Sequence, residues 1–240
     1  GLGYTQSERE RCWFYKRSTV PFELASSVCV HVDDLLWLGE ESTVQRDLEA
    51  LAEQVVLKSE GATGREKHSW GYLGRRLDQS ANEDLSLVMS GSYSRALAQE
   101  LGITRGTQSI VDPPAEESPR SLGESEVAQL RHVVGVLRWV ATERPDILAG
   151  LSNVGMSKPT SRDLAMARRI VQYLVSHPEL PVTFAQKHLP IPSGSVAGAV
   201  SVDVFSDASW GKHALSGWLV CVDKRVVSFG SRRQKVVALS

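Results

Sequence analysis

The chain has 240 residues, 42% of them hydrophobic and 23% charged, a globular composition long enough for one large domain or two smaller ones with a real core. A formal net charge of -1 offers no general attraction for polyanions, so any such binding has to come from local clusters. Three cysteines, Cys12, Cys29 and Cys221, are too few and too scattered for a disulfide framework or a zinc site, and they favour a reducing compartment. No apolar run approaches the roughly 18 residues of a membrane span, and no secretory signal opens the chain. It starts at Gly1 without a methionine and stops inside the apolar run "QKVVALS", which reads as an internal segment of something longer.

In chain order, "CWFYK" (12–16) predicts an aromatic-rich strand, followed by a turn region around Pro21. Val28, Val30 and Val32 alternate with Cys29 and His31 at strand period. "LLWLG", closed by Gly39, supplies a partner strand, and Asp33 and Asp34 between them complete a β-hairpin. Ser42 with Gln45 three residues on predicts a capped helix start, with Val44, Leu48, Leu51 and Val55 as the apolar stripe. "SWGYLGRRLD" (69–78) and "LSLVM" (85–89) predict more strands, and "SYSRALAQELG" a short helix capped by Gly102. Residues 105–120, with Pro113, Pro114 and Pro119, are the clearest loop.

A helical stretch follows. Val127, Leu130, Val134, Leu137 and Ala141 recur at helix spacing, and Pro145 suits the first turn of a second helix through about Met156. Thr160 with Asp163 caps a third, striped by Leu164, Ala167, Ile170, Val171 and Leu174. Residues 188–198, rich in Pro, Gly and Ser, form a linker, after which "VDVFSD", "SGWLVCV", "RVVSFG" and "KVVALS" read as short strands. The fold class is therefore α/β in the α+β sense. Trp37 and Trp139 lie in apolar runs and are expected in the core, while Arg168 and Arg169 fall opposite their helix's apolar stripe, on the surface.

The aspartate pair has two readings. Aspartate is a common turn residue, so the pair can be a solvated turn. Tight hairpins, however, favour Asn-Gly or Asp-Gly, because the second central residue needs positive φ; Asp-Asp is a poorer turn. Two adjacent carboxylates at a hairpin tip are also what a magnesium ion needs in company with substrate phosphates, and two-metal sites of that kind drive in-line phosphoryl transfer.

The neighbourhood of the pair favours the second reading. "CVHVDDLLWLG" resembles the YVDD-type hairpin of copia-type retrotransposon reverse transcriptases, and "YLGRRL" (72–77) resembles their primer-grip segment. "LRHVVGVLRWVATERPDILAGLSNVGMSKPT" (130–160) is similar to the family's Val-Gly helix followed by Thr-Arg-Pro-Asp-Ile, and "ARRIVQYLVSHPEL" continues it. "VFSDASWGKHALSGWLVCVDKRVVSFGSRRQKVVALS" resembles the start of the attached ribonuclease H domain. Each block is weak singly; in this order they are strong.

The resemblance implies the C-terminal half of a polymerase palm over residues 1–90, a helical thumb and tether over 91–187, the linker 188–198, and the first part of a ribonuclease H-like domain over 199–240. It implies Asp33 as the principal metal-binding carboxylate, Asp34 as a second ligand or electrostatic partner, and Asp207 as the first metal-binding acid of the ribonuclease H site. The implied cofactor is Mg2+ or Mn2+. The implied partners are an RNA template, a DNA primer, an RNA–DNA hybrid and the remaining segments of the Pol polyprotein, in cytoplasmic element particles or the nucleus, neither secreted nor in a membrane. The family's third polymerase aspartate would come from an upstream strand, and a ribonuclease H glutamate from just beyond Ser240.

His31 stands where the family usually has tyrosine, and Ser209 where it has a second aspartate. His31 either lies near the primer-template or is a core histidine facing Cys29. Arg75 and Arg76 either touch primer phosphates or form a plain charged face. Arg232, Arg233 and Lys235 belong to a basic stretch suited to the phosphate backbone or to guarding a strand edge. Two other readings stay open: a decayed element remnant without catalysis, and a non-enzymatic binding module whose hairpin is only a turn.

Overall fold

The computed structural model describes residues 1–19, 24–59, 61, 69–81, 84–110, 118–184, 201–209 and 214–234. The linker 188–198, the turn at Pro21, Lys235 and the "KVVALS" strand lie outside them. The fold is α+β, with antiparallel sheets and five α-helices among the described residues. By packing, the chain divides into two compact units, Gly1–Leu73 and Gly74–Ser240. No helix among the described residues is long and apolar enough to cross a membrane.

The first unit is an antiparallel meander of β1 (Thr5–Gln6), β2 (Trp13–Arg17), β3 (Leu24–His31) and β4 (Asp34–Gly39), followed by α1 (Glu41–Ala52) and β5 (Ser69–Tyr72). Gly39 lets β4 close on β3, since a Cβ there would sit 2.6 Å from the Ala25 carbonyl oxygen and from Ser26. The expected Ser42 cap does not form. The Glu40 N–H donates to the Ala25 carbonyl (3.1 Å), so the chain turns straight from the sheet into α1 at Glu41, and Gln45 donates to Glu49 instead (2.8 Å).

The face of α1 turned inward carries Thr43 and Asp47 as its buried residues, whereas Val44, Leu48 and Leu51 are half-buried and Val55 is exposed. Asp47, 3% exposed, accepts from Lys16 Nζ (2.6 Å) and from the Tyr4 hydroxyl (3.0 Å). That hydroxyl in turn accepts from Trp37 Nε1 (2.9 Å) and lies 2.6 Å from Ser26 Oγ. Trp37 is thus half-buried and tied to a polar network. Burial works against the Asp47 charge, but the Lys16 ammonium and Tyr4 hydroxyl outweigh it and hold the carboxyl below its ordinary value.

The second unit opens with β6 (Arg75–Gln79), β7 (Leu85–Met89) and α2 (Ser92–Glu100). Gly102, at φ +63, ends α2 in a Schellman arrangement: Gly102 N–H bonds Gln99 O (3.2 Å) and Ile103 N–H bonds Ala98 O (2.8 Å). The described parts of 105–120 carry no helix or strand. Then come α3 (Glu124–Val140), a 3-10 turn (Pro145–Ile147) running into α4 (Leu148–Asn153), α5 (Ser161–Ser176) and β8 (Val182–Phe184), the last pairing with β7. The expected stripes make the core: Leu130, Val134 and Leu137 of α3 pack with Ala167, Ile170, Val171 and Leu174 of α5, all buried. Asp163 caps α5, accepting from both the N–H and the hydroxyl of Thr160 (2.8 Å each).

Within the Thr-Glu-Arg-Pro-Asp-Ile block Arg144 is 2% exposed. It forks onto Asp146 through Nε (3.0 Å) and Nη2 (2.8 Å), and donates through Nη1 to the His177 carbonyl (2.7 Å). This pair pins the junction before α4 to the end of α5. Finally β9 (Val202–Ala208), β10 (Leu215–Val222) and β11 (Arg225–Arg233) form a sheet in the order β11-β10-β9, with β11 against α4.

Candidate functional site

The hairpin joins β3 to β4, but its turn is Val32–Asp33, one residue earlier than the expected Asp33–Asp34. Asp34 already belongs to β4 and pairs with His31. The reason lies in Val32, which takes φ +55 while Asp33 keeps a negative φ; positive φ at the first central position alone is the pattern of a type II′ turn. A β-branched residue there is a genuine outlier, costing about 1–3 kcal/mol. Val32 is also 88% exposed, so no packing recovers that cost.

His31, Asp33 and Asp34 are all exposed. His31 is therefore no core histidine. Directly opposed residues of an antiparallel pair share a face, so His31 and Asp34 lie on one side of the sheet, with Cys29 two residues up the strand from His31. Tyr72, at the end of β5, faces the same group: burial raises its phenol, and the Cys29 thiol and Asp34 carboxylate push it further in the same direction. In the sequence Tyr72 is only the first residue of the grip-like segment. No local pattern singles it out, because its partners are far away in the chain.

Among the described residues no donor or cation engages the Asp33 or Asp34 side chain by hydrogen bond or ion pair. Both carboxylates thus keep their oxygens open, and they fit in kind the oxygen ligands of Mg2+ or Mn2+, which takes one or two carboxylates plus substrate phosphates. No group of three or more His, Cys, Asp and Glu residues among the described residues gathers into a metal-holding cluster.

Asp207 sits near the end of β9, exposed, with Oδ1 accepting the Ala208 N–H (2.8 Å). Its opposite number on β10 is Gly217, whose missing side chain leaves open a shallow hollow of about 450 Å3 lined also by Ser206, Ser216, Trp218 and Arg232. The Trp218 ring occupies the place a Cβ on Gly230 would need, and the Arg232 guanidinium lies 5.8 Å from that ring's centroid. Ser209 helps to hold the backbone where the strands part, since its hydroxyl accepts the Leu215 N–H (2.8 Å). Arg233, next to Arg232 on the strand, faces the other way and donates to the Asn153 carbonyl (3.2 Å). Lys235 and Trp210 lie outside the described residues.

The grip-like arginines are held by acids. Arg75 Nε bonds Glu143 (2.6 Å) and its guanidinium lies 4.9 Å from the Trp139 ring centroid. Arg76 grips Asp78 through Nε (2.8 Å) and Glu179 through its two terminal nitrogens (2.9 Å each), and these hydrogen bonds raise its already high pKa further. Trp139, expected in the core, is 39% exposed. It lies on the outer face of α3 with exposed Arg131, Gly135 and Arg138, and nothing would contact a Cβ at Gly135. Two cations, an open glycine and an aromatic along one helix face suit contact with a nucleic-acid strand. The sequence signal for this face was the i, i+4, i+7, i+8 spacing of 131, 135, 138 and 139. Arg168, expected at the surface, is half-buried and donates to the Leu101 carbonyl (2.9 Å) at the end of α2.

No protein-family model matches the chain, and no curated protein or solved structure matches it.

Proposed function

We propose that the chain is the palm-to-ribonuclease-H segment of a copia-type retrotransposon Pol protein, an RNA-directed DNA polymerase with attached ribonuclease H. The observation that carries the reading is the hairpin: two adjacent, exposed and unengaged carboxylates at a tip whose valine is held at φ +55. Strained backbone and free acids together are what a reacting site keeps and a mere turn discards. The ordered blocks of sequence resemblance give the hairpin its family.

On this reading Asp33 is the principal ligand at the hairpin and Asp34 the second ligand or electrostatic partner. A bound Mg2+ or Mn2+ would supply activation of the primer 3′-hydroxyl and charge neutralisation of the leaving pyrophosphate. The chain's own part is to present both carboxylates on a rigid two-strand support. Tyr72 borders Asp34, and His31 stands beside the primer-template. Asp207, over the gap left by Gly217, is the first acid of the ribonuclease H site, with Arg232 as its neighbouring phosphate contact. The partners are an RNA template, a DNA primer and their hybrid.

A remnant without catalysis is the second reading, favoured by His31 in the usual tyrosine position. RNA-templated primer extension by the full polymerase reading frame separates the two: extension that depends on Asp33 supports the first, and binding without extension supports the second.

A further inference from the structure

A second concave surface in the Gly74–Ser240 unit lies away from Asp207, between α4 and β11. It is a half-open cleft of about 310 Å3 whose floor is Leu148, Leu151 and Val154 and whose rims carry Arg138 and Arg233. We propose that this cleft binds the sugar–phosphate backbone of a nucleic-acid strand, with the two arginines as phosphate clamps; the proposal rests on the nucleic-acid reading above.

Four arginines of this unit are held by acids, whereas the two at the cleft rim face none among the described residues. Arg75 meets Glu143, Arg76 meets Asp78 and Glu179, Arg120 meets Glu126, and Arg144 meets Asp146, each within 3.0 Å. Arg138 and Arg233 meet no carboxylate among the described residues, and no acid lines the cleft. Arg138 stands in the last turn of α3, where the helix dipole welcomes a cation, but that does not account for Arg233 on a strand. One Arg233 nitrogen is anchored on the Asn153 carbonyl (3.2 Å), which fixes the guanidinium at the rim and leaves other N–H groups to donate. Ser152 donates to the Ser231 carbonyl (3.1 Å), so the wall beneath is tied as well.

Two unneutralised guanidinium groups around a concave surface, Arg233 anchored in place, focus positive potential there, and their planar forks match phosphate oxygens. An apolar floor between them suits the faces of a sugar or base. Open ends suit a polymer that continues past the cleft.

The test is the salt dependence of binding between the full chain and a labelled RNA–DNA hybrid, read by fluorescence anisotropy. Arg138→Gln and Arg233→Gln are each expected to flatten the slope of log K against log salt by about 1, and the double variant by about 2. Arg105→Gln, an exposed arginine outside the cleft, is expected to keep the wild-type slope, and all variants the wild-type thermal melt. A double variant with the wild-type slope overturns the cleft while leaving the nucleic-acid reading in place. Absence of hybrid binding by the wild type overturns both. Polyglutamate that displaces the hybrid from wild type, but not from the double variant, overturns the choice of ligand.

Discussion

Val32 and Asp47 are single residues whose settings oppose their intrinsic preferences. At Val32 the chain keeps a β-branched side chain at φ +55 in full solvent, next to the two acids. If that geometry serves the site rather than the fold, Val32→Gly should stabilise the protein by about 1 kcal/mol, the relieved strain exceeding glycine's entropic cost, while primer extension falls. A urea titration beside an extension assay checks both halves. At Asp47 a buried carboxylate is kept ionised by Lys16 and Tyr4. Its folded pKa is depressed below the ordinary 3.8, so its contribution is complete above that value and is lost as pH falls through the lower folded one. Melts between pH 6 and pH 2, roughly spanning the titration range of carboxylates, should lose stability over that acid window. Lys16→Met, which leaves the buried charge without its cation, should destabilise by about 3 kcal/mol at neutral pH.

Among the elements, those whose signals are local were legible. Gly102 ends α2 and Thr160 with Asp163 starts α5 because each device closes within a few residues. The stripes of α3 and α5 became the core because their spacing alone decides which face is apolar. What escaped depends on distant partners. The inner face of α1 is polar at Asp47 because Lys16 and Tyr4 reach it from positions 31 and 43 residues away in the chain. Trp139 stays on the outer face with the Arg75 guanidinium against its ring, and the hairpin turn moved by one residue because Val32 accepts a conformation that propensity forbids. Arg144 belongs to this class too: its side chain reaches the His177 carbonyl 33 residues on and so anchors the entry to α4. Arg144→Met leaves Asp146 ionised without its guanidinium, and burial already opposes that charge. A loss of about 3–5 kcal/mol is expected, measured by chemical denaturation; a loss below about 1 kcal/mol would place the pair among weak surface bridges.

For the whole molecule, acids and bases are distributed unevenly. Arg75, Arg76, Arg120 and Arg144 are neutralised by carboxylates, whereas Asp33 and Asp34, and separately Arg138 and Arg233, are left without counter-charges among the described residues. Unsatisfied anions at one place and unsatisfied cations at others are what a protein handling a polyanion through a divalent cation requires. The most direct test is the single-turnover rate of RNA-templated primer extension by the full polymerase reading frame, with Asp33→Asn as the variant and Mg2+ as the metal. The rate is expected to fall by about 100-fold or more with primer-template affinity unchanged. Undiminished extension by Asp33→Asn would contradict the assignment of the hairpin as the metal-binding site.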